Sequence, residues 1–418
     1  MSIQKDHPAF ARLPKRLTIS FPIWGLYDID GKGAYADLDR MVREHVERGF
    51  NCIRLDDGAG LMHDTEGRPL GAVSIGSAFG KYDETLRQFG AIGGEGTCDL
   101  LSRLIALATA AKKQGVYLAL SSWYYLHTYW FCHDEALNDT LFAIPPEERF
   151  MAFAKFLHYI LLELKKRDLA ECVAFAEIFN EADGLRFING YGNENNLSDE
   201  AIAVFRQKHE EALAWLQSEH PDILFCYDSY TPWSDPRQIP GNLQVYNFHY
   251  YYLWGVYNAL ERNPVFFTGG VTADDVAATR AGRRPATPDW YERATIYSNF
   301  DRAQLPQIEA AIENHLRVHT DYYRKEVGES LANVEKLAAA FPGVPIICGE
   351  GVSYIGAKDL CWEEKSEAYW QMVEEVNRRF KAFGLWGTVV RTCCGPEDPA
   401  WYTVPDKLLR VNRAFLED

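Results

Sequence analysis

The chain has 418 residues, of which 47% are hydrophobic and 14% aromatic, and carries a formal net charge of -16. That apolar content fills one large core or two ordinary ones. The acidic balance argues against nucleic acid and anionic membrane surfaces as partners, because both require basic patches, and favours a neutral or cationic ligand.

In chain order, short runs of β-branched and aromatic residues alternate with long amphipathic runs. Strands are predicted at 17–24, 50–56, 116–123, 172–180, 223–229, 243–249, 344–349 and 384–391. Helices are predicted at 36–48, 98–114, 146–167, 198–219, as one long segment within 307–340, and at 363–381 and 405–415. Ser198 precedes Asp199 and Glu200 as a helix N-cap, and Gly49 and Gly115 follow last turns, where a left-handed residue is often needed. Between the fifth and sixth strands, 231–242 holds three prolines and a glycine, which leaves an irregular link.

Eight strands joined mostly by helical crossovers predict a parallel sheet, and eight is the number that closes a (β/α)₈ TIM barrel. A doubly wound open sheet is the alternative. A barrel needs about 250 residues, so the surplus is assigned to long loops after strands two and six, 57–96 and 253–306. Neither loop reads as a linker, and the expectation is one catalytic domain over 1–418.

No stretch reaches the roughly 18 uninterrupted apolar residues of a membrane span. The first 17 residues carry Lys5, Asp6, Arg12, Lys15 and Arg16 with no apolar run, unlike a signal peptide. Nine cysteines without a regular framework fit free, buried thiols in a reducing cytoplasm.

In such a barrel, reactive groups collect on the face formed by the loops that follow the strands. Two glutamates end predicted strands there. Cys172-Val-Ala-Phe-Ala-Glu-Ile-Phe-Asn-Glu-Ala-Asp183 places Asn180-Glu181 at the mouth of the fourth strand, and Val344-Pro-Ile-Ile-Cys-Gly-Glu350 ends the seventh. Either glutamate alone reads as ordinary acidic usage at a helix start. Two carboxyls facing one pocket are the machinery of glycosidic cleavage: one protonates the departing oxygen while the other attacks the anomeric carbon or activates water.

Phe175-Ala-Glu-Ile-Phe-Asn-Glu-Ala182 resembles the fourth-strand signature of clan A glycoside hydrolases, especially family 5 and its cellulase-like relatives, with Ala182 where proline is usual. Phe50-Asn-Cys-Ile-Arg54-Leu is similar to that family's second strand, Asn247-Phe-His249-Tyr-Tyr251 to its sixth, and Cys348-Gly-Glu350-Gly to its seventh. The resemblance implies a retaining β-glycosidase that needs no cofactor, with Glu181 as acid/base and Glu350 as nucleophile. It further implies that Arg54 and Tyr251 support Glu350, that Asn180 holds the 2-hydroxyl of the sugar, and that His249 binds sugar or orients the acid. Without the resemblance, Arg54 reads as a structural ion pair with Asp56 and Asp57 as partners, His249 as a core histidine, and Glu177 as a structural acid inside the barrel.

Aromatic residues 123–131 follow the third strand, and Trp rings stack on the apolar faces of pyranoses, so Trp123 is a candidate substrate contact. The eighth strand departs from the family pattern: Trp386 stands early, as a candidate floor of the site, and Arg391 stands later, as a contact for a polar or acidic substrate group. A non-catalytic carbohydrate-binding barrel and an endo-acting β-glucanase or mannanase are the alternatives to an exo-acting enzyme on soluble β-linked glycosides. Metal chemistry is a weaker rival: Asp56, Asp57, His249 and Glu350 supply oxygen and imidazole, but His127 and His133 lack zinc spacing and there is no CxxC pair. No Walker loop or GxGxxG fingerprint is present. Oligomeric state is not legible in the sequence.

Overall fold

The structure is a computed structural model that describes residues 7–29, 31, 33–76, 95–122, 132–184, 198–251, 302–351, 359–392 and 394–417. Eight parallel strands form a closed barrel: β1 Leu17–Phe21, β2 Cys52–Asp56, β3 Tyr117–Ser121, β4 Val173–Glu177, β5 Phe225–Ser229, β6 Val245–Tyr250, β7 Ile346–Gly351 and β8 Gly387–Thr392. β1 pairs with β2 on one side and β8 on the other, which closes the ring and rules out the open doubly wound sheet. All eight strands are buried almost throughout, because the barrel interior covers one face and helices cover the other. Their apolar runs are therefore nearly continuous, with little alternation.

The main helices are α1 Leu38–Glu47, α2 Leu100–Gln114, α3 Arg149–Lys165, α4 Asp199–Glu219, α5 Leu305–Val318, α6 Thr320–Ala338, α7 Glu367–Phe383 and α8 Pro405–Leu416. Side chains cap several of them as the sequence suggests. Ser198 accepts from the N–H of Ala201, satisfying a donor that the first turn of α4 cannot pair internally. Gly115 ends α2 at φ 69°, a left-handed conformation that costs glycine nothing.

Two predicted helices are each interrupted. The segment expected as one helix within 307–340 is α5 and α6, joined at His319, whose φ of -102° and ψ of 17° leave the helical region. Ser366, extended at ψ 116°, separates the short helix Trp362–Lys365 from α7 and caps α7 through the N–H of Tyr369. Neither break has a glycine or an internal proline to announce it. The link 231–242 is irregular as expected, with one 3₁₀ turn at Pro236–Gln238.

The predicted strands also run longer than the ladders. β4 stops at Glu177, and the chain then leaves the sheet, so Asn180 and Glu181 lie beyond its end. In the loop after β2, the described part holds the helix Ala59–Met62 and an antiparallel ribbon of Val73–Gly76 with Glu95–Cys98. Residues 252–301 of the other long loop lie outside the described residues. The eight described cysteines are free thiols, and all but Cys361 are buried. No described helix is long and apolar enough to cross a membrane.

Candidate active site

Strand register sets the site. Arg54 lies on β2, Glu177 ends β4, and Asp228 on β5 is directly opposite Asn247 on β6. Between β6 and β7 the register slips by one residue, pairing Phe248 with Cys348 and then His249 with Glu350. The extra residue is Gly349, a bulge of the kind that re-aims a side chain near the end of a strand. Only glycine fits there. A Cβ would lie 2.3 Å from the amide nitrogen of Asn247, whose Oδ1 instead accepts the Gly349 N–H at 2.7 Å.

Arg54 is fully buried and serves as the hub. Its Nη1 donates to Glu350 Oε1 at 2.8 Å, and its Nη2 donates to Glu177 Oε2 at 2.8 Å, to Asp228 Oδ2 at 2.6 Å and to Asn180 Oδ1. Its plane also lies 4.5 Å from the centre of the Phe21 ring. The expected partners Asp56 and Asp57 are not used. Asp56 turns back to accept from Tyr27 and Gly58, and Asp57 accepts from Ala59. Three buried carboxylates on one guanidinium offset its desolvation, and Arg54 stays charged. In return, although burial alone would raise Glu177, the Arg54 charge and hydrogen bond bring its pKa below the usual carboxylate range.

Glu350 is held at both oxygens. Oε1 accepts from Arg54, and Oε2 accepts from the Tyr251 hydroxyl. Both restraints fix its orientation.

Glu181 differs. It adopts φ 50°, a left-handed backbone that is uncommon for a residue with a side chain and occurs most where surrounding structure enforces it. The enforcing contacts come from β5: the carbonyl of Asp228 accepts the Ala182 N–H at 3.2 Å, and Asp183 Oδ1 accepts the Tyr230 N–H at 2.7 Å. The side chain retains 16% exposure, and its Oε1 lies 2.8 Å from His249 Nδ1. Burial raises the pKa of Glu181, the charges of Glu350 and Asp183 add to the rise, and contact with His249 opposes it. One carboxyl held at both oxygens by donors and one carboxyl biased towards its protonated form thus share one mouth, an arrangement that acid catalysis beside a nucleophile can use. Oxygens of Glu181 and Glu350 and a ring nitrogen of His249 all lie within 4.8 Å of one another.

His249 is buried between acids. Nε2 lies 3.0 Å from Asp228 Oδ1 and 3.6 Å from Glu350 Oε1. Burial alone would lower its pKa, but Asp228 and Glu350 outweigh it, and the imidazole is raised well above its usual range. A metal ion would need a free ring lone pair, whereas the contacts here favour a ring that donates from both nitrogens.

The structure therefore brings together Glu181, Glu350, Arg54, Asn180, His249 and Tyr251. Trp123 lies outside the described residues. The expectations for Trp386 and Arg391 are corrected. Trp386 precedes β8, at the end of the barrel opposite the mouth, where its ring packs on Phe10 and Phe175 and its indole N–H donates to the Pro14 carbonyl at 3.0 Å. It closes the bottom of the barrel, because β8 begins only after it. Arg391 is buried among Asp398 at 2.6 Å, Glu363 at 2.5 Å and Glu364 at 3.4 Å, so its charge is spent inside the protein.

Arg391→Met is accordingly expected to destabilise the fold by about 3–5 kcal/mol, because it leaves buried acids unpaired. Urea denaturation would measure this. Native stability with a raised KM would return Arg391 to the substrate.

Three site residues escape a motif-level reading: Glu177 beyond its assignment as a structural acid, Asp228 and Asn247. The available signal was an acidic residue inside the apolar run Leu224-Phe-Cys-Tyr-Asp228 of a strand buried on both faces. Such a charge needs a partner.

No protein-family model and no curated protein matches the sequence. Among solved structures, the chain is similar to a protein from Parabacteroides distasonis ATCC 8503 that carries a provisional glycoside hydrolase assignment, at 16% identity and a TM-score of 0.67, covering 96% of this chain and 94% of that one. It is also similar to a variant of the glycoside hydrolase family 5 mannosidase from Rhizomucor miehei, at 11% identity and a TM-score of 0.50, covering 100% of this chain and 99% of that one. At these identities the likeness establishes a shared (β/α)₈ fold over nearly the whole chain.

Proposed function

We propose that the protein is a retaining β-glycoside hydrolase of the clan A, family 5 type, acting by double displacement with Glu350 as nucleophile and Glu181 as acid/base. The observation that carries this reading is that an oxygen of Glu181 and an oxygen of Glu350 lie within 4.8 Å of each other, beside His249. Retention uses a separation of roughly 5 Å, whereas inversion needs about 6.5–9.5 Å to admit a water molecule. In the first step a Glu350 oxygen forms a bond to the anomeric carbon while the bond from that carbon to the leaving oxygen breaks, and Glu181 gives that oxygen its proton. In the second step Glu181 takes a proton from water as the water attacks the same carbon and releases Glu350.

Asn180 fits the 2-hydroxyl. Its Oδ1 is occupied by Arg54, while its buried Nδ2 has no partner among the described residues and is a donor open to a substrate oxygen. Stereochemistry is the direct test. Product released from an aryl β-glycoside should appear first as the β-anomer by NMR, and the α-anomer as first product would overturn the reading.

The substrate is assigned as soluble β-linked oligosaccharide or glycoside, cut from an end. Loop length after strands two and six supports a walled cleft. On a soluble β-glucan or mannan, reducing ends should accumulate with little early loss of viscosity. A rapid drop would make the enzyme endo-acting.

A further inference from the structure

We propose that Asp228 is a positioning residue which, acting through His249, keeps the transferable proton of Glu181 on Oε2, the oxygen not engaged by the imidazole; this rests on the glycosidase reading above. Asp228 is fully buried on β5. Its Oδ2 accepts from Arg54 Nη2 at 2.6 Å and from Asn247 Nδ2 at 2.9 Å, and His249 Nε2 lies 3.2 Å from Oδ2 and 3.0 Å from Oδ1. The first two positions demand an acceptor, and the third is free to donate to one. Burial raises the Asp228 carboxyl and Glu177 adds to the rise, while His249 and Arg54 oppose it. Arg54 and Asn247 can only donate, and both donate to Oδ2, an arrangement that suits the carboxylate.

An anionic Asp228 fixes a proton on His249 Nε2. The opposite nitrogen, Nδ1, lies 2.8 Å from Glu181 Oε1, and two arrangements fit that distance. A neutral ring accepts a proton from Oε1, which ties up the proton needed for the leaving group. A charged ring donates to Oε1, so a protonated Glu181 must carry its hydrogen on Oε2. The groups around the ring decide between them: Asp228 and Glu350 both lie on the Nε2 side, at 3.0 and 3.6 Å, and Arg54 is already shared among Glu350, Glu177 and Asp228. Negative charge exceeds positive, and the charged ring is favoured. Asp183 is turned to the Gly184 and Tyr230 N–H groups, and the Tyr251 hydroxyl to Glu350, so neither competes for Nδ1.

The consequence covers both half-reactions. With Oε1 held by an N–H, Oε2 gives its proton to the departing oxygen as the glycosidic bond breaks, and later takes one from water. No other proton carrier is required.

Asp228→Asn keeps the size and removes the charge. Its test is a leaving-group series at constant sugar, together with ¹⁵N NMR of the His249 ring. Alkyl or sugar leaving groups, which need the acid, should lose about 100-fold in kcat/KM, within the range for general acid catalysis. A 2,4-dinitrophenyl glycoside, which does not, should lose only a few-fold. Both ring nitrogens should be protonated at neutral pH in the wild type, and only one in the variant. An equal loss for all leaving groups would assign Asp228 to the Arg54–Glu350 arrangement alone and overturn the proposal. A neutral His249 in the wild type would overturn it without any appeal to the variant or its folding. A charged His249 in a wild type that turns over no glycoside would instead bring down the glycosidase reading and leave the placement of the charge supported.

Discussion

Glu350→Ala is expected to lose activity by a factor on the order of 10⁵–10⁶, as loss of a covalent nucleophile does elsewhere, which is about 7–8 kcal/mol of barrier. The fold should survive: Arg54 keeps Glu177 and Asp228, although its Nη1 and the Tyr251 hydroxyl both lose the Glu350 acceptor. A thermal melt close to that of the wild type would verify this. Removing the carboxylate opens space beneath the anomeric carbon, beside a guanidinium that suits an anion. Azide is therefore expected to restore turnover of activated aryl β-glycosides, and its product should be the α-glycosyl azide, because azide enters from the face Glu350 vacates and no second displacement follows. A β-glycosyl azide from this variant would move the nucleophile elsewhere, and activity near that of the wild type would remove Glu350 from the mechanism.

Much of this site is legible in the amino-acid sequence, and the reason is architectural. In a closed parallel barrel every strand end faces one mouth, so Asn180, Glu181, His249, Tyr251 and Glu350 converge once the eight strands are counted. Strand counting does not reveal partner choice. Arg54 has Asp56 and Asp57 two and three positions along the chain, yet it pairs with Glu177, Asp228 and Glu350 from three other strands. Asp57 lies past the strand end. Asp56, although on the same face as Arg54, is taken by the Tyr27 hydroxyl and the Gly58 N–H, whereas inward residues of the other strands meet Arg54 inside the barrel. The bulge at Gly349 is equally silent, because a one-residue slip depends on Asn247 filling the space, which the local sequence Cys-Gly-Glu does not encode.

Trp386 and Arg391 show the same limit on one strand. Each has a side chain suited to a sugar, and each lies near a strand end, but the chemistry of a residue does not say which end of the strand it occupies. β8 begins at Gly387, so Trp386 precedes its first residue, at the end of the barrel opposite the mouth. Arg391 is at the correct end, but its charge is claimed by Asp398 just after the strand and by Glu363 from the short helix that precedes α7. An arginine is informative about function only after its acids have been counted.

Glu181→Ala is expected to divide substrates by leaving group. Loss of a general acid costs about 10²–10⁴-fold where the departing oxygen needs a proton, so alkyl and disaccharide β-glycosides should be nearly inert. A 2,4-dinitrophenyl glycoside leaves without help, so its first step should proceed close to the wild-type rate and accumulate glycosyl-enzyme, seen as a burst of phenolate. Hydrolysis of that intermediate lacks its base, and azide should accelerate it to give a β-glycosyl azide, the opposite anomer to that from Glu350→Ala. The pH profile adds an independent reading. Burial and the Glu350 charge raise Glu181, so in the wild type the acid form persists to higher pH than an ordinary glutamic acid allows, and kcat/KM falls as pH rises through the shifted value. In Glu181→Ala that alkaline limb should disappear for the activated substrate, because no proton is then required. An unchanged alkaline limb in the variant would assign the limb to another group, and equal losses for good and poor leaving groups would take the acid role away from Glu181. His249→Asn offers the complementary case: Glu181 keeps its carboxyl but loses the ring that holds Oε1, so the alkaline limb should shift while remaining present.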